Sequence, residues 1–289
     1  MNFPKLCNDP GAWPGLILAG LILMGLVAAP ATAAPAVPTL EARGQAEFAE
    51  YRRAGPHRAF VIAPGGHWSW RAEMPNEEVA IETALADCRR ATEQPCLPYA
   101  INDQIVFDAR AWSRVWQPYP GRAEAAVARV GTRRGERFPD LAYTAAGGRP
   151  AKLSDLRGKV VILHFWGSWC PPCQAEMPDL QKLFDILRSE SQVAFVVMPV
   201  REPLATATTW ARRNRINLPL AFGGEASIKP GEFRLADGSR LADRQLARAF
   251  PTTYILDRHG IVLLARTGPL ARWPEYAPLL RDAIRLSGR

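Results

Sequence analysis

At 289 residues, 48% apolar and 22% charged, the chain is long enough for two packed domains and too apolar to be disordered. Its net charge of +8 is scattered as single and paired arginines and accompanies no nucleic-acid motif, so it reads as a solvated basic surface and no nucleic-acid partner is expected. Five cysteines are the remaining compositional signal.

The chain opens on an expected targeting segment, residues 1–33. Lys5 gives a weakly basic start, and Gly15 to Ala29 is an apolar stretch interrupted by Gly and short for a membrane span. Ala31-Thr32-Ala33 reads as a small-residue cleavage signal. Cleavage would leave a soluble exported protein, and retention would leave an anchored one. Cys7 precedes the apolar stretch, so it is no lipid-attachment site.

Residues 46–117 read as a small α+β domain. Ala59 to Ala63, Gly65-Gly66 and Trp68 to Trp70 suggest a hairpin, as do Pro98 to Ile101, Asn102-Asp103 and Ile105 to Phe107. Between them Asn76 is the expected N-cap of one helix beginning Glu77-Glu78, with Ile81, Ala84, Leu85 and Cys88 on one face. Trp68 and Trp70 are expected on opposite faces, with at least one in the core. His57 and His67 are too few for a metal site. A docking role and a structural appendage both stay open for this domain. Residues 118–134, with the Ala-, Arg- and Gly-rich run from Arg122 to Arg134, read as a linker to a second domain at 135–289.

The second domain carries Trp169-Cys170-Pro171-Pro172-Cys173. The apolar run from Lys159 to Trp166 predicts a buried strand before it. Met177, Leu180, Leu183, Phe184 and Leu187 predict a helix after it. Cys170 then sits at a helix N-terminus, where free N–H groups and the dipole favour a thiolate. No second close pair follows to complete a zinc site, and Gln174 stands where haem attachment needs His. A purely structural disulfide would close too small a ring to staple anything, so a redox dithiol is the favoured reading. Export leaves four cysteines, so Cys170 with Cys173 and Cys88 with Cys96 are the expected pairs, the latter a structural disulfide. A second redox pair at Cys88 and Cys96 is the weaker alternative.

On these residues the chain resembles the thioredoxin superfamily, and within it the TlpA/ResA/DsbE-like thiol-disulfide oxidoreductases, over about residues 131 to 289. Gly135 to Leu141 looks like that family's opening segment and Leu153 to Lys159 like its approach to the first core strand. Pro178 matches its helix-kinking proline, and Phe250-Pro251-Thr252-Thr253 its cis-proline segment. The turn Asp257 to Gly260 follows. The resemblance implies an α/β thioredoxin-like fold, with a mixed central sheet flanked by helices, after the small α+β domain.

It also implies a mechanism. Cys170 attacks a substrate disulfide, and Cys173 resolves the mixed disulfide. Pro171 and Pro172 stiffen the loop, while Trp169, Phe250, Pro251 and Thr252 position substrate. The redox-active disulfide needs no cofactor and no metal. The expected role is that of a reductant of protein disulfides in the bacterial periplasm, supplied with electrons by a membrane thiol-relay protein similar to the DsbD family. Two departures stand out. His164 occupies the place of thioredoxin's buried acid, so it is either a proton acceptor for Cys173 or a hydrogen-bonded core residue. The acid found between the cysteines of some ResA-like proteins is absent. A copper-binding or copper-delivery protein on the same scaffold and a thiol peroxidase using Ser168 are the alternatives.

Overall fold

The computed structural model describes residues 40, 42–108, 112, 116–223 and 231–287. The expected targeting segment and Cys7 lie outside the described residues. Among the described residues no helix is long and apolar enough to cross a membrane.

The amino-terminal half is built on β1 (Ala59–Ala63), buried along its whole length. Helix α1 (Ala42–Arg53) precedes it and β2 (His67–Arg71) pairs with it, the two strands joined by a turn in which Gly65 and Gly66 take φ of 86° and 81°. Helix α2 (Glu77–Ala91) starts at Asn76, whose side chain accepts from Val79 N at 2.9 Å, and Glu77 and Glu78 favour its positive end. Strands β3 (Leu97–Ile101) and β4 (Gln104–Ile105) complete an antiparallel sheet ordered β2-β1-β3-β4.

Two expectations are corrected here. Among the described residues two full helices, α1 and α2, cover the sheet where one was expected. Ala59, Val61 and Ala63 pack on α2, whereas Phe60 and Ile62 need a second cover, which Phe48 and Tyr51 of α1 supply. Residues two apart in a strand share a face. Accordingly Trp68 stacks on Phe60 at 6.2 Å, and Trp70 meets Tyr51 edge-on at 6.2 Å, both on the α1 side.

The segment expected as a linker contains a short helix, α3 (Arg122–Val127). Just before it Trp116 is fully buried, its ring 5.5 Å from Tyr276 of the carboxy-terminal half. Residues Ala36–Arg289 accordingly form one compact unit.

In the carboxy-terminal half, β5 (Leu141–Thr144) and β6 (Pro150–Lys152) lead to β7 (Val160–Trp166), α4 (Pro171–Leu187), β8 (Val193–Pro199) and α5 (Leu204–Arg213). After them come β9 (Glu232–Leu235), β10 (Arg240–Ala242), α6 (Asp243–Leu246), β11 (Thr252–Leu256), β12 (Val262–Thr267) and α7 (Ala277–Leu286). The central sheet runs β12-β11-β7-β8, with β7 and β8 parallel and the other neighbours antiparallel.

Strand β7 is apolar throughout because both its faces are covered. Val160, Ile162 and Trp166 face the core shared with Met177, Leu180, Leu183 and Leu280. Val161, Leu163 and Phe165 face a second sheet, ordered β10-β9-β5-β6. This is a thioredoxin-like fold. It delivers the end of β7 and the start of α4 to one edge of the sheet, where the cysteines lie.

Candidate active site

Cys170 is the N-cap of α4, and Pro171 and Pro172 occupy the first helical positions, where an N–H would be unpaired in any case. Cys170 and Cys173 form a disulfide with Cα atoms 5.2 Å apart. Cys170 retains 5% exposure whereas Cys173 has none, so only the first sulfur can be approached from solvent. Pro171 and Pro172 are exposed beside it.

The loop before β11 meets this end of the helix. The Phe250–Pro251 bond is cis, and the Phe250 carbonyl oxygen is 3.5 Å from Cys170 Sγ. Trp169 is 48% exposed, packs edge-on against Phe250 at 5.7 Å and donates from Nε1 to the Val200 carbonyl at 3.1 Å. Thr252 is buried and donates to the Ala249 carbonyl at 2.6 Å, closing the turn that presents Phe250. The surface around Cys170 is thus aromatic, with one backbone carbonyl aimed at the sulfur.

Three groups around this surface were not anticipated. The Arg201 guanidinium lies over the Phe250 ring at 5.4 Å and donates to both Asp243 carboxylate oxygens, at 2.6 and 3.0 Å. It fastens the loop that follows β8 to α6, which leads to Phe250. Glu202 accepts from both the backbone N and the hydroxyl of Ser168. Gln174 donates to the Ser168 carbonyl at 2.5 Å, tying the turn before Cys170 to the helix after it.

The third group is Glu176, one helical turn beyond Cys173. It is 5% exposed and accepts from Leu270 N at 3.1 Å and Trp273 Nε1 at 2.7 Å. Burial pushes its carboxyl up to about 8, against the pull of those two donors and of Arg266. A carboxyl with that affinity exchanges a proton near neutral pH. The sequence signal was available: an acid three residues after Cys173, within the apolar helical stripe, faces inward.

His164 is fully buried on the same face of β7 as Ile162 and Trp166. Its Nδ1 is 2.9 Å from Thr253 Oγ1, and its ring meets Trp273 edge-on at 6.1 Å. Burial pulls its pKa down to about 3, which keeps the imidazole neutral at physiological pH.

Cys88 and Cys96 form a disulfide with Cα atoms 6.1 Å apart, between α2 and β3. Among the described residues no group of three His, Cys, Asp or Glu could hold a metal ion. His259 lies in the turn at the far end of the five-residue β11, about 17 Å from the dithiol end.

Residues 134–265 match the AhpC/TSA family. The chain is 29% identical over 138 residues, 48% of its length, to thiol-disulfide oxidoreductase ResA of Geobacillus kaustophilus, 71% of which is covered. It is 27% identical over 144 residues, 50% of its length, to thioredoxin-like protein YneN of Bacillus subtilis, 76% of which is covered. Similar solved structures include StoA of Bacillus subtilis, at 22% identity and a TM-score of 0.37, with 51% of this chain and 98% of that one covered. A thioredoxin-family thiol:disulfide interchange protein of Chlorobium tepidum gives 22% identity and a TM-score of 0.40, with 52% of this chain and 97% of that one covered.

Proposed function

We propose that this thiol-disulfide oxidoreductase, whose residues 134–265 form an AhpC/TSA-family domain, is an exported reductant of protein disulfides working through Cys170 and Cys173. The observation that carries the reading is the asymmetry of the pair: one sulfur partly open to solvent at a helix N-terminus, the other fully buried, with a protonable acid one helical turn further along.

In the reduced protein the Cys170 thiolate attacks one sulfur of a substrate disulfide. The new S–S bond joins Cys170 to substrate, and the departing substrate sulfur leaves as a thiolate. Cys173 then loses its proton and attacks Cys170 Sγ. This forms the Cys170–Cys173 disulfide and releases the second substrate sulfur. The substrate gains two electrons and the dithiol loses two. Glu176, ionised, accepts the Cys173 proton in this step. Its elevated pKa matches it to a thiol, whereas His164, held near 3, is the poorer base. The Phe250 carbonyl, beside Cys170, accepts a backbone N–H of the bound substrate. Trp169 and Phe250 give that substrate an apolar seat.

Re-reduction needs a dithiol donor, for which a membrane thiol-relay protein similar to the DsbD family is the proposed source. Export to the bacterial periplasm, with the leading segment either cleaved or retained, is part of the same proposal. A peroxidase would need the Ser168 hydroxyl for its substrate, but that hydroxyl is held by Glu202.

The test is trapping. Cys173→Ser should accumulate mixed disulfides through Cys170, while Cys170→Ser should form none and lose disulfide exchange. Adducts mapped to Cys173 in a Cys170→Ser protein would overturn the assignment of roles.

A further inference from the structure

Strand β12 is the outer strand of the central sheet. Gly268 N donates to the Pro251 carbonyl at 2.8 Å, and bonded pairs in an antiparallel ladder recur every second residue. Arg266 and Leu264 therefore turn their backbone groups toward β11, while Leu263, Ala265 and Thr267 turn theirs to the outside. The Leu263 carbonyl confirms the parity, because Gln94 Nε2 reaches it from the amino-terminal half at 3.1 Å. At the start of the strand Val262 already pairs outward with Gly135 and Glu136, each at 2.8 Å, and beyond these contacts no described residue bonds to the outward N–H and C=O groups of Ala265 and Thr267, both of which are exposed. A free edge of this kind is a template for another strand.

The edge opens into a cleft of about 620 Å³ between the two halves of the compact unit, and that cleft is lined by arginines. Arg90 is paired with Asp87 and Arg133 with Glu93. Arg89 and Arg248 also line it, and among the described residues neither has a carboxylate partner; of the other two arginines there, Arg134 donates its backbone N–H to Glu93 at 3.3 Å and Arg266 Nη1 lies 3.1 Å from His67 Nε2. The Nε atoms of Arg134 and Arg266 are buried without a hydrogen-bond acceptor. Among the described residues Glu93 is the only acid in the lining. Unused strand hydrogen bonds and unneutralised guanidinium groups thus occur together.

We infer that this edge is a docking site for an extended acidic segment of a partner polypeptide, which adds as a strand outside β12. The main chain of the segment pairs with Ala265 and Thr267, and its carboxylates meet the arginines. A second copy of this chain is the wrong occupant, since each copy carries a net charge of +8. The location gives the site a use. Thr267 pairs with Thr252, next to Pro251, and Phe250 O is 3.5 Å from Cys170 Sγ. A strand bound outside β12 runs two strand spacings, about 10 Å, from β11. The segment is therefore held close to the dithiol without covering it.

The experiment uses the full oxidised chain and fluorescein-labelled peptides followed by anisotropy. One peptide alternates Glu and Val. A second has the same sequence N-methylated at every other residue, and a third alternates Lys and Val. The Glu/Val peptide should bind, and N-methylation should weaken it at least about tenfold by removing strand hydrogen bonds. The Lys/Val peptide should not bind. The double variant Arg89→Glu/Arg248→Glu, checked for an unchanged melting temperature, should lose about tenfold in affinity for Glu/Val. Equal binding of the N-methylated peptide would reduce the site to non-specific charge attraction and overturn the inference, as would binding of the Lys/Val peptide. Binding requires no thiol, so its absence leaves the redox reading standing, and loss of disulfide exchange leaves this one standing.

Discussion

Glu176→Gln is expected to change how stability responds to pH, and the size of the change follows from its surroundings. Burial raises the Glu176 pKa from 4.5 to about 8. Between those values the native protein holds a proton that the unfolded chain has released, so this group's contribution to stability falls as pH rises. The cost is absent below about pH 4.5 and complete above about pH 8. Each tenfold change in proton affinity is worth about 1.4 kcal/mol, so the full cost approaches about 5 kcal/mol, most of which develops between pH 5 and pH 8. Two histidines act in the opposite sense. Burial, reinforced by Arg266, lowers His67 to about 4, and burial lowers His164 to about 3. Both are neutral in the fold while the unfolded chain protonates them below about 6.5, so their contributions rise with pH up to that value. The wild-type profile alone therefore mixes the two trends. The difference between wild type and Glu176→Gln isolates the acid, because Gln keeps an acceptor for Leu270 N and Trp273 Nε1. Urea unfolding of the oxidised proteins at pH 5, 6, 7 and 8 measures it. Wild type should lose about 3 to 4 kcal/mol relative to the variant across that range. Parallel profiles would refute the buried, elevated carboxyl, and with it the proton acceptor assigned to Cys173.

Opening the Cys88–Cys96 ring, of sequence separation 8, with a double Ala substitution should cost about 2.5 kcal/mol of stability on the chain-entropy account and leave disulfide exchange intact. Lost exchange would make that pair part of the redox relay. Arg201→Ala leaves the buried Asp243 carboxylate unpaired and the Phe250 ring without its cation. It should cost about 1 to 2 kcal/mol and raise the KM for a disulfide substrate more than it lowers kcat. An unchanged KM would remove Arg201 from substrate positioning. Trp116→Ala empties a fully buried site against Tyr276 and should cost about 3 to 5 kcal/mol, with both halves unfolding in one transition. Two separated transitions by near-ultraviolet circular dichroism and calorimetry would show that the halves do not share a core.

Most of what the sequence determined about this protein is local. A strand running into a helix at Cys170, the Asn76 cap and the two Gly- and Asn-containing hairpins depend on neighbours within about four residues, where periodicity and turn chemistry act. The buried stripe of α4 was legible for the same reason, and so was the pairing of the four cysteines that follow the leading segment. Helix α1 was not, because its apolar residues are few and only β1, buried on both faces, requires it. What tertiary structure decided are contacts between distant segments. Arg201 meets Asp243 across 42 residues, Ser168 meets Glu202 across 34, and Gln94 reaches Leu263 across 169. Glu176 was visible as a residue but not as a proton site, since its affinity comes from Leu270, Trp273 and the apolar core that closes over it. Short-range pattern selects the secondary structure and sets the two sulfurs at the start of a helix. Desolvation and the pairing of remote charges, which exist only once the chain has closed, set the proton affinities and the shape of the surface those sulfurs serve.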